Sequence, residues 1–276
     1  MLVSRCLVPF SLGTFIKHLP ILKRTTFCPY RIRPKTITTT RILCSSYFET
    51  LDSHQKEQIH LYVDTLLEWN QRMNLTAVKE VNEVMERHIE DSLAIIPPIR
   101  NSYFSHCSPS SSNNLSLVDV GSGAGLPGLV LAIACPGWEV TLMESMNKRC
   151  LFLEHVVSHI GLSNVQVVRG RAENLGQVLC FREKFDVTSN WFITVLVAES
   201  CYFDGQLNTV YLLFALAVEV RNAEKAIQIL GASVLQLCPV ESHSPYGQRT
   251  AIVCLKTSPT PRKYPRDPGT PEKTPL

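Results

Sequence analysis

The chain has 276 residues, 45% of them hydrophobic, with 27 Lys and Arg against 24 Asp and Glu and a formal charge of +3. A chain of this size buries a sizeable core unaided, and its ten cysteines include no Cys-x-x-Cys pair, which argues against a zinc site and leaves reduced, buried thiols as the expectation. Eight of the basic residues precede residue 46, so the remainder carries 19 basic against 24 acidic residues, a formal −5; this excludes a protein that coats RNA through overall positive charge and leaves phosphate contacts to local patches.

Residues 1–45 contain Arg5, Lys17, Lys23, Arg24, Arg31, Arg33, Lys35 and Arg41, many Ser and Thr, and no acid before Glu49. That is the composition of an organelle transit peptide, disordered as a chain, with a basic RNA-binding arm as the alternative. Its apolar runs are short and broken by Lys17 and Lys23, which fits neither a secretory signal nor a membrane span. A helical extension is expected over 46–100. From Gln55 to Met73 the apolar residues Ile59, Tyr62, Val63, Leu66, Leu67 and Met73 recur at helical spacing. Val81, Val84, Met85, His88, Leu93 and Ile96 do the same, and Pro97 and Pro98 are expected to end this second helix. His88 and Asp91, three apart, fall on one helix face, where a surface hydrogen-bonded pair is favoured over a role near a substrate. The Ser-rich run from 105 to 114 reads as a loop.

Strand and helix patterns then alternate. Strands are expected at 115–120, 139–143, 164–168 and 184–188, with helices at 126–134, 147–160 and 173–180. Further on come a helix from Glu219 to Leu230, the break at Gly231 and a strand from Ser233 to Val240. Such alternation specifies an α/β fold, a doubly wound parallel sheet with ligands at the carboxyl ends of its strands. The most informative segment is the first strand, which runs through Asp119 into a turn with Gly121, Gly123 and Gly125. Glycines there permit positive φ and close approach of a ligand to the main chain, and Pro127 suits a helix start. A dinucleotide fingerprint wants glycines at relative positions one, three and six, but the sixth position is Leu126. An acid two before the first glycine, with glycines at one, three and five, looks like the first motif of S-adenosylmethionine-dependent methyltransferases. Glu144, ending the next strand, can accept both ribose hydroxyls. A bare strand-to-helix turn without a ligand and a nicotinamide or flavin site are the alternatives.

Neighbouring motifs make the match more specific. The runs Leu67-Glu68-Trp69-Asn70, Met73-Asn74-Leu75-Thr76, Arg87-His88-Ile89-Glu90-Asp91-Ser92-Leu93 and Val118 to Pro127 lie in order, followed by Asn147-Lys148-Arg149, Arg171-Ala172-Glu173, Tyr246-Gly247 and the tail around Arg262 to Arg266. Together they resemble the ribosomal RNA small subunit methyltransferase G family, also called glucose-inhibited division protein B, over roughly 50–187 and 219–276. The resemblance implies a Rossmann-like methyltransferase domain over 115–256 that uses S-adenosylmethionine to methylate N7 of a guanine in small-subunit ribosomal RNA, either free or in an assembling small ribosomal subunit. It implies cofactor contacts at Gly121, Gly123, Gly125 and Leu126, at Glu144 on the ribose, and at Ala172 and Glu173 on the adenine side. RNA contacts would fall at His88, Lys263 and Arg266. Glu173 also has a simpler reading, an acid that favours a helix dipole. No metal is expected, a monomer without membrane contact is, and a bacterial-type RNA substrate makes a chloroplast the expected address, with a mitochondrion as the alternative. The basic patch opens with Lys256 and continues through the tail over 257–276 with Arg262, Lys263, Arg266 and Lys273, among six prolines that hold it extended.

Between about 188 and 218 the chain departs from the family pattern. Where the family has an arginine near the cofactor, an ungapped reading places Trp191. Two apolar runs, Trp191 to Val197 and Thr209 to Val218, have strand composition. The departure leaves open a catalytically impaired relic that holds cofactor or RNA, and a small-molecule methyltransferase stands third. Guanine N7 carries a lone pair and no proton, so methyl transfer to it requires in-line placement and no general base. No catalytic acid or base is therefore assigned.

Overall fold

The computed structural model describes residues 46–106, 114–178, 181, 184–190, 210–216, 225, 227–240, 249–261 and 264. The chain divides into Met1–Cys44 and Ser45–Leu276, and all described residues belong to the second unit. The expected transit segment lies outside them.

Helix α1 (Ser53–Asn70) starts at a capping box: Asp52 Oδ1 accepts the Gln55 N–H at 2.8 Å and Gln55 Oε1 accepts the Asp52 N–H at 3.1 Å, satisfying two donors that a helix start leaves orphaned. Its expected inward face is buried, with Ile59, Tyr62 and Leu66 fully enclosed. The second helical stretch is not one helix ended by prolines. It comprises α2 (Val81–Val84), a π-helical turn over Met85–Ile89 and α3 (Glu90–Leu93). Pro97 and Pro98 instead lie in the first turn of a further helix, α4 (Ile96–His106), where a missing N–H breaks no helical bond.

A seven-stranded sheet follows in the order β3-β2-β1-β4-β5-β7-β6. Its strands are β1 (Ser116–Val120), β2 (Glu139–Glu144), β3 (Val165–Arg169), β4 (Val187–Asn190), β5 (Val210–Leu216), β6 (Ala232–Val240) and β7 (Arg249–Lys256). β1 to β5 pair in parallel, and β7 lies antiparallel between β5 and β6. The alternating pattern anticipated this parallel α/β sheet and its first four strands to within a few residues. β5 forms from the run Thr209 to Val218, so the stretch that departs from the family pattern still supplies a central strand. The other expected strand, Trp191 to Val197, lies outside the described residues, as do most of 105–114 and of the helix before Gly231, where Lys225 and residues 227–229 are helical.

Helices α5 (Gly128–Ala134) and α6 (Asn147–His159) cross over between the first strands, and the short α7 (Ala172–Leu175) follows β3. α1 binds the ends of two of them: Gln55 Nε2 donates to the carbonyls of Ile133 and Ala134 at 3.0 and 3.2 Å, and Gln58 Nε2 to that of Ile160 at 2.9 Å. These bonds satisfy carbonyls that a helix end leaves free. The extension and the sheet thus share one core, in which Tyr62, Leu66, Val130, Leu142 and Phe152 are all buried. Among the described residues no helix is long and apolar enough to cross a membrane.

α5 presses so closely on the sheet that a Cβ at Gly128 would lie 2.4 Å from Leu142 Cδ2 and 2.8 Å from Asp119 Oδ2. Gly128→Ala is expected to cost about 1–3 kcal/mol through overpacking, seen as a lower urea midpoint. An unchanged midpoint would contradict this packing.

Candidate cofactor site

The turn after β1 sits at the carboxyl ends of β1 and β2, beside the point where the strand order reverses between β1 and β4. Crevices of this kind take ligands in open α/β sheets. Gly121, Gly123 and Gly125 have φ of 73°, 57° and 91°, which L side chains rarely adopt. They do different work. A Cβ at Gly121 would meet nothing within 4 Å and one at Gly123 only the Gly121 carbonyl at 3.7 Å, so both face open space, whereas one at Gly125 would strike Leu129 Cδ1 at 2.3 Å. The first two glycines present bare backbone to a ligand, and the third lets α5 close on the turn.

Neighbouring elements hold the turn. The N–H groups of Gly121 and Ser122 donate to the Met143 carbonyl at 2.8 and 3.0 Å. Gly123 N–H donates to Glu144 Oε2 at 3.0 Å, while Glu144 Oε1 accepts the Met146 N–H at 2.8 Å. Arg149 Nη1 stands 3.7 Å from Glu144 Oε2. Glu144 Oε1 also accepts the Ser145 hydroxyl at 3.4 Å; each carboxylate oxygen has two acceptor sites, so Oε2 keeps one open at the edge of the turn, and the long Ser145 bond is the one a second ligand hydroxyl would displace. On the far side Tyr62 Oη donates to the Ala124 carbonyl at 2.8 Å. Burial, and then the Asp119 carboxyl, push the Tyr62 phenol far above its usual range, so it remains a donor.

Beneath the turn Asp119 is 1% exposed. Its Oδ2 accepts the Gly128 N–H at 3.2 Å and its Oδ1 the Ser189 hydroxyl at 2.9 Å, tying β1 to the start of α5 and to β4. Burial raises its pKa from 3.8 to about 7, against the lowering effect of the hydrogen bonds from Ser189 and Gly128.

The turn floors a cleft of about 250 Å³, lined by Gly121 to Ala124, Leu126 and Arg149 and walled from the extension by Leu75, Thr76, Ala77 and His88. Asn70 shapes that wall: its Oδ1 accepts the N–H groups of Leu75 and Thr76 at 2.9 and 3.1 Å, and its Nδ2 donates to the Thr76 carbonyl at 3.0 Å. His88 Nε2 lies 2.9 Å from Thr76 Oγ1. The expected surface position of Asp91 does not hold, because Asp91 is fully buried, and His88 lines the cleft.

Ala172 and Glu173 open α7 just beyond β3, and both are buried, at 8% and 7% exposure. Ala172 packs with Val120 and Met143 near the carboxyl ends of β1 and β2. The structure therefore gathers Gly121, Gly123, Leu126 and Glu144 at the turn, sets Gly125 beneath it and places Ala172 and Glu173 at the next strand end. Lys263 and Arg266 lie outside the described residues. Lys256, read as part of a basic tail, is instead 1% exposed, and its Nζ donates to the Leu230 carbonyl at 2.6 Å and to Thr260 Oγ1; it ties the strand end to a helix end and is unavailable to phosphates. Sequence reasoning missed the roles of Tyr62, Thr76, Gly128 and Ser189. One carried a signal: a tyrosine on a core face needs a partner for its hydroxyl. Among the described residues no group of three His, Cys, Asp or Glu could hold a metal.

Because the folded protein raises the Asp119 pKa from 3.8 to about 7, it holds this proton where the unfolded chain releases it. The contribution is complete below about pH 4 and is lost as pH rises to about 7. The stability difference between wild type and Asp119→Asn, from urea unfolding at stepped pH, is therefore expected to move against wild type across that window and level off above it. A difference that stays flat or favours wild type increasingly with pH would refute the assignment.

A family model for rRNA small subunit methyltransferase G matches residues 55–189. Ribosomal RNA small subunit methyltransferase G of Lachnoclostridium phytofermentans is 38% identical over 231 residues, covering 82% of this chain and 91% of the relative. That of Alkaliphilus oremlandii is 38% identical over 234 residues, covering 80% and 91%. A solved SAM dependent methyltransferase from Aquifex aeolicus, 12% identical, aligns over 63% of this chain and 93% of its own with a TM-score of 0.48. With 38% identity carried across nearly the whole length of the relatives and a family model that spans the glycine turn, the chain belongs to the rRNA small subunit methyltransferase G family.

Proposed function

We propose that this chain transfers a methyl group from S-adenosylmethionine to N7 of a guanine in small-subunit ribosomal RNA. The observation that carries the reading is the backbone of Gly121 and Gly123, open to a cleft with the Glu144 carboxylate at its edge, in a chain 38% identical to a protein named as a small-subunit ribosomal RNA methyltransferase. The residues fit the cofactor. Side chains at the two leading glycines would fill the cleft, Glu144 offers a ribose diol one open acceptor site and one held only by the long Ser145 bond, and the buried Glu173 stands at the next strand end. Bound S-adenosylmethionine supplies an activated methyl group. The protein's share is placement and dryness: Leu75, Ala77 and Leu126 give the cleft apolar walls, and an attacking N7 lone pair needs orientation rather than a base. His88, held by Thr76 and facing the turn, is positioned to meet the base. N7 lies on an edge that a helical RNA groove hides, so the target is an unpaired or partly assembled region.

The address in this reading is an organelle, a chloroplast in the first instance, supported by the acid-free basic composition of residues 1–45; the chain acts as a monomer on ribosomal RNA. A second reading, an impaired relic that binds cofactor without transferring its methyl group, is favoured by Trp191 standing where the family has an arginine.

Titration calorimetry of the full chain with S-adenosylmethionine, followed by methyl transfer to small-subunit ribosomal RNA, tests both. Binding with transfer is expected, and binding without transfer favours the relic. Glu144→Gln removes a charge-assisted bond of about 1.5–3 kcal/mol and is expected to weaken cofactor binding about tenfold or more. Equal affinity would remove Glu144 from the site.

A further inference from the structure

The rim of the cleft carries a charge feature that the cofactor reading does not use. At the carboxyl ends of β2 and β3, Glu144 and Arg169 are register partners. Arg169 Nη1 donates to Asn147 Oδ1 at 2.8 Å, which sets its guanidinium against the first turn of α6. Lys148 follows Asn147 in that turn, and Arg171 stands at the N-cap of α7. Lys148, Arg169 and Arg171 are all exposed, and Arg149 beside them lines the cleft. The acids nearest in sequence do not offset them at the surface: Glu144 and Glu173 are 3% and 7% exposed, and the first turn of α6 contains no acid. Beyond residue 45 the chain is formally −5, so a cationic ridge at the mouth of the site stands against the charge of the body that bears it.

Resting on the methyl-transfer reading, we propose that Lys148, Arg169 and Arg171 form a phosphate track on which the ribosomal RNA backbone lies while the target base enters the cleft. Phosphate contacts position a nucleic acid without reading its sequence, and a net-acidic protein gains this local attraction while remaining selective against polyanions that cannot also fill the site. Arg169, fixed by Asn147, presents a preorganised fork, and Lys148 and Arg171 flank it as exposed charges.

The test is fluorescence anisotropy of labelled small-subunit ribosomal RNA transcripts with the full chain across a salt series. Lys148→Ala/Arg171→Ala is compared with wild type and with Lys184→Ala, an exposed cation just before β4 at the opposite end of the sheet. The double variant is expected to bind RNA about tenfold or more weakly at low salt and to lower the slope of log K against log salt by about 1.4–1.8, from two lost contacts, while Lys184→Ala matches wild type. A glutamine pair at 148 and 171, which keeps the packing of the stems, is expected to behave like the alanine pair. RNA affinity and slope equal to wild type in the double variants, or an equal loss in Lys184→Ala, would overturn the track. The RNA measurement needs no cofactor, so a wild type that binds RNA through these residues but binds no S-adenosylmethionine would count against the methyl-transfer reading and not against the ridge.

Discussion

Everything at this site depends on keeping an extended piece of backbone still without side chains of its own to pack. Residues 121 to 125 meet that constraint by placing their polar groups on different elements: Met143 takes two N–H groups, Glu144 a third, and Tyr62 supplies a donor to the Ala124 carbonyl. Below them, Asp119 joins the helix that leaves the turn to the strand across the switch point. A glycine turn left to itself would be mobile, since glycine has the most conformational freedom to lose. Here that freedom is restricted by bonds from β2, α1 and the turn itself.

The helical extension therefore belongs to the site rather than merely preceding it. α1 reaches the turn through Tyr62, its last residue Asn70 arranges the loop that walls the cleft, and the stretch containing the π turn delivers His88 to Thr76. α1 also takes up helix-end carbonyls of α5 and α6 through Gln55 and Gln58, so the wall is fixed against the two elements that position the turn.

Periodicity made the sheet legible because each of β1, β2 and β3 is a short apolar run followed by a helical one, and β1 with its glycines announced a ligand turn. The same signal was weakest where tertiary structure decides. The prolines at 97 and 98 look like a stop, yet they begin α4, since a proline costs little in a first turn. Asp91 looked like a surface group because residue spacing cannot show which face of a helix the rest of the protein covers. Lys256 belonged by composition to a basic tail and by structure to a buried cap on the carbonyl of Leu230. The contacts of Tyr62 and Ser189 span 62 and 70 residues, and no local pattern encodes such distances. The run after Thr188 departs from the family pattern, but apolar composition sufficed to rebuild β5.

The chemistry that this arrangement serves is one of placement: a donor held on bare backbone, a sugar edge met by one carboxylate, and an attacking lone pair that asks for no proton transfer. The most direct test is a crystal structure of the full chain with S-adenosylhomocysteine. The ligand is expected to lie against Gly121 and Gly123 with both ribose hydroxyls within hydrogen-bonding distance of the Glu144 carboxylate. A ligand seated elsewhere, or one whose ribose leaves Glu144 bonded only to Gly123, Ser145 and Met146, would contradict it.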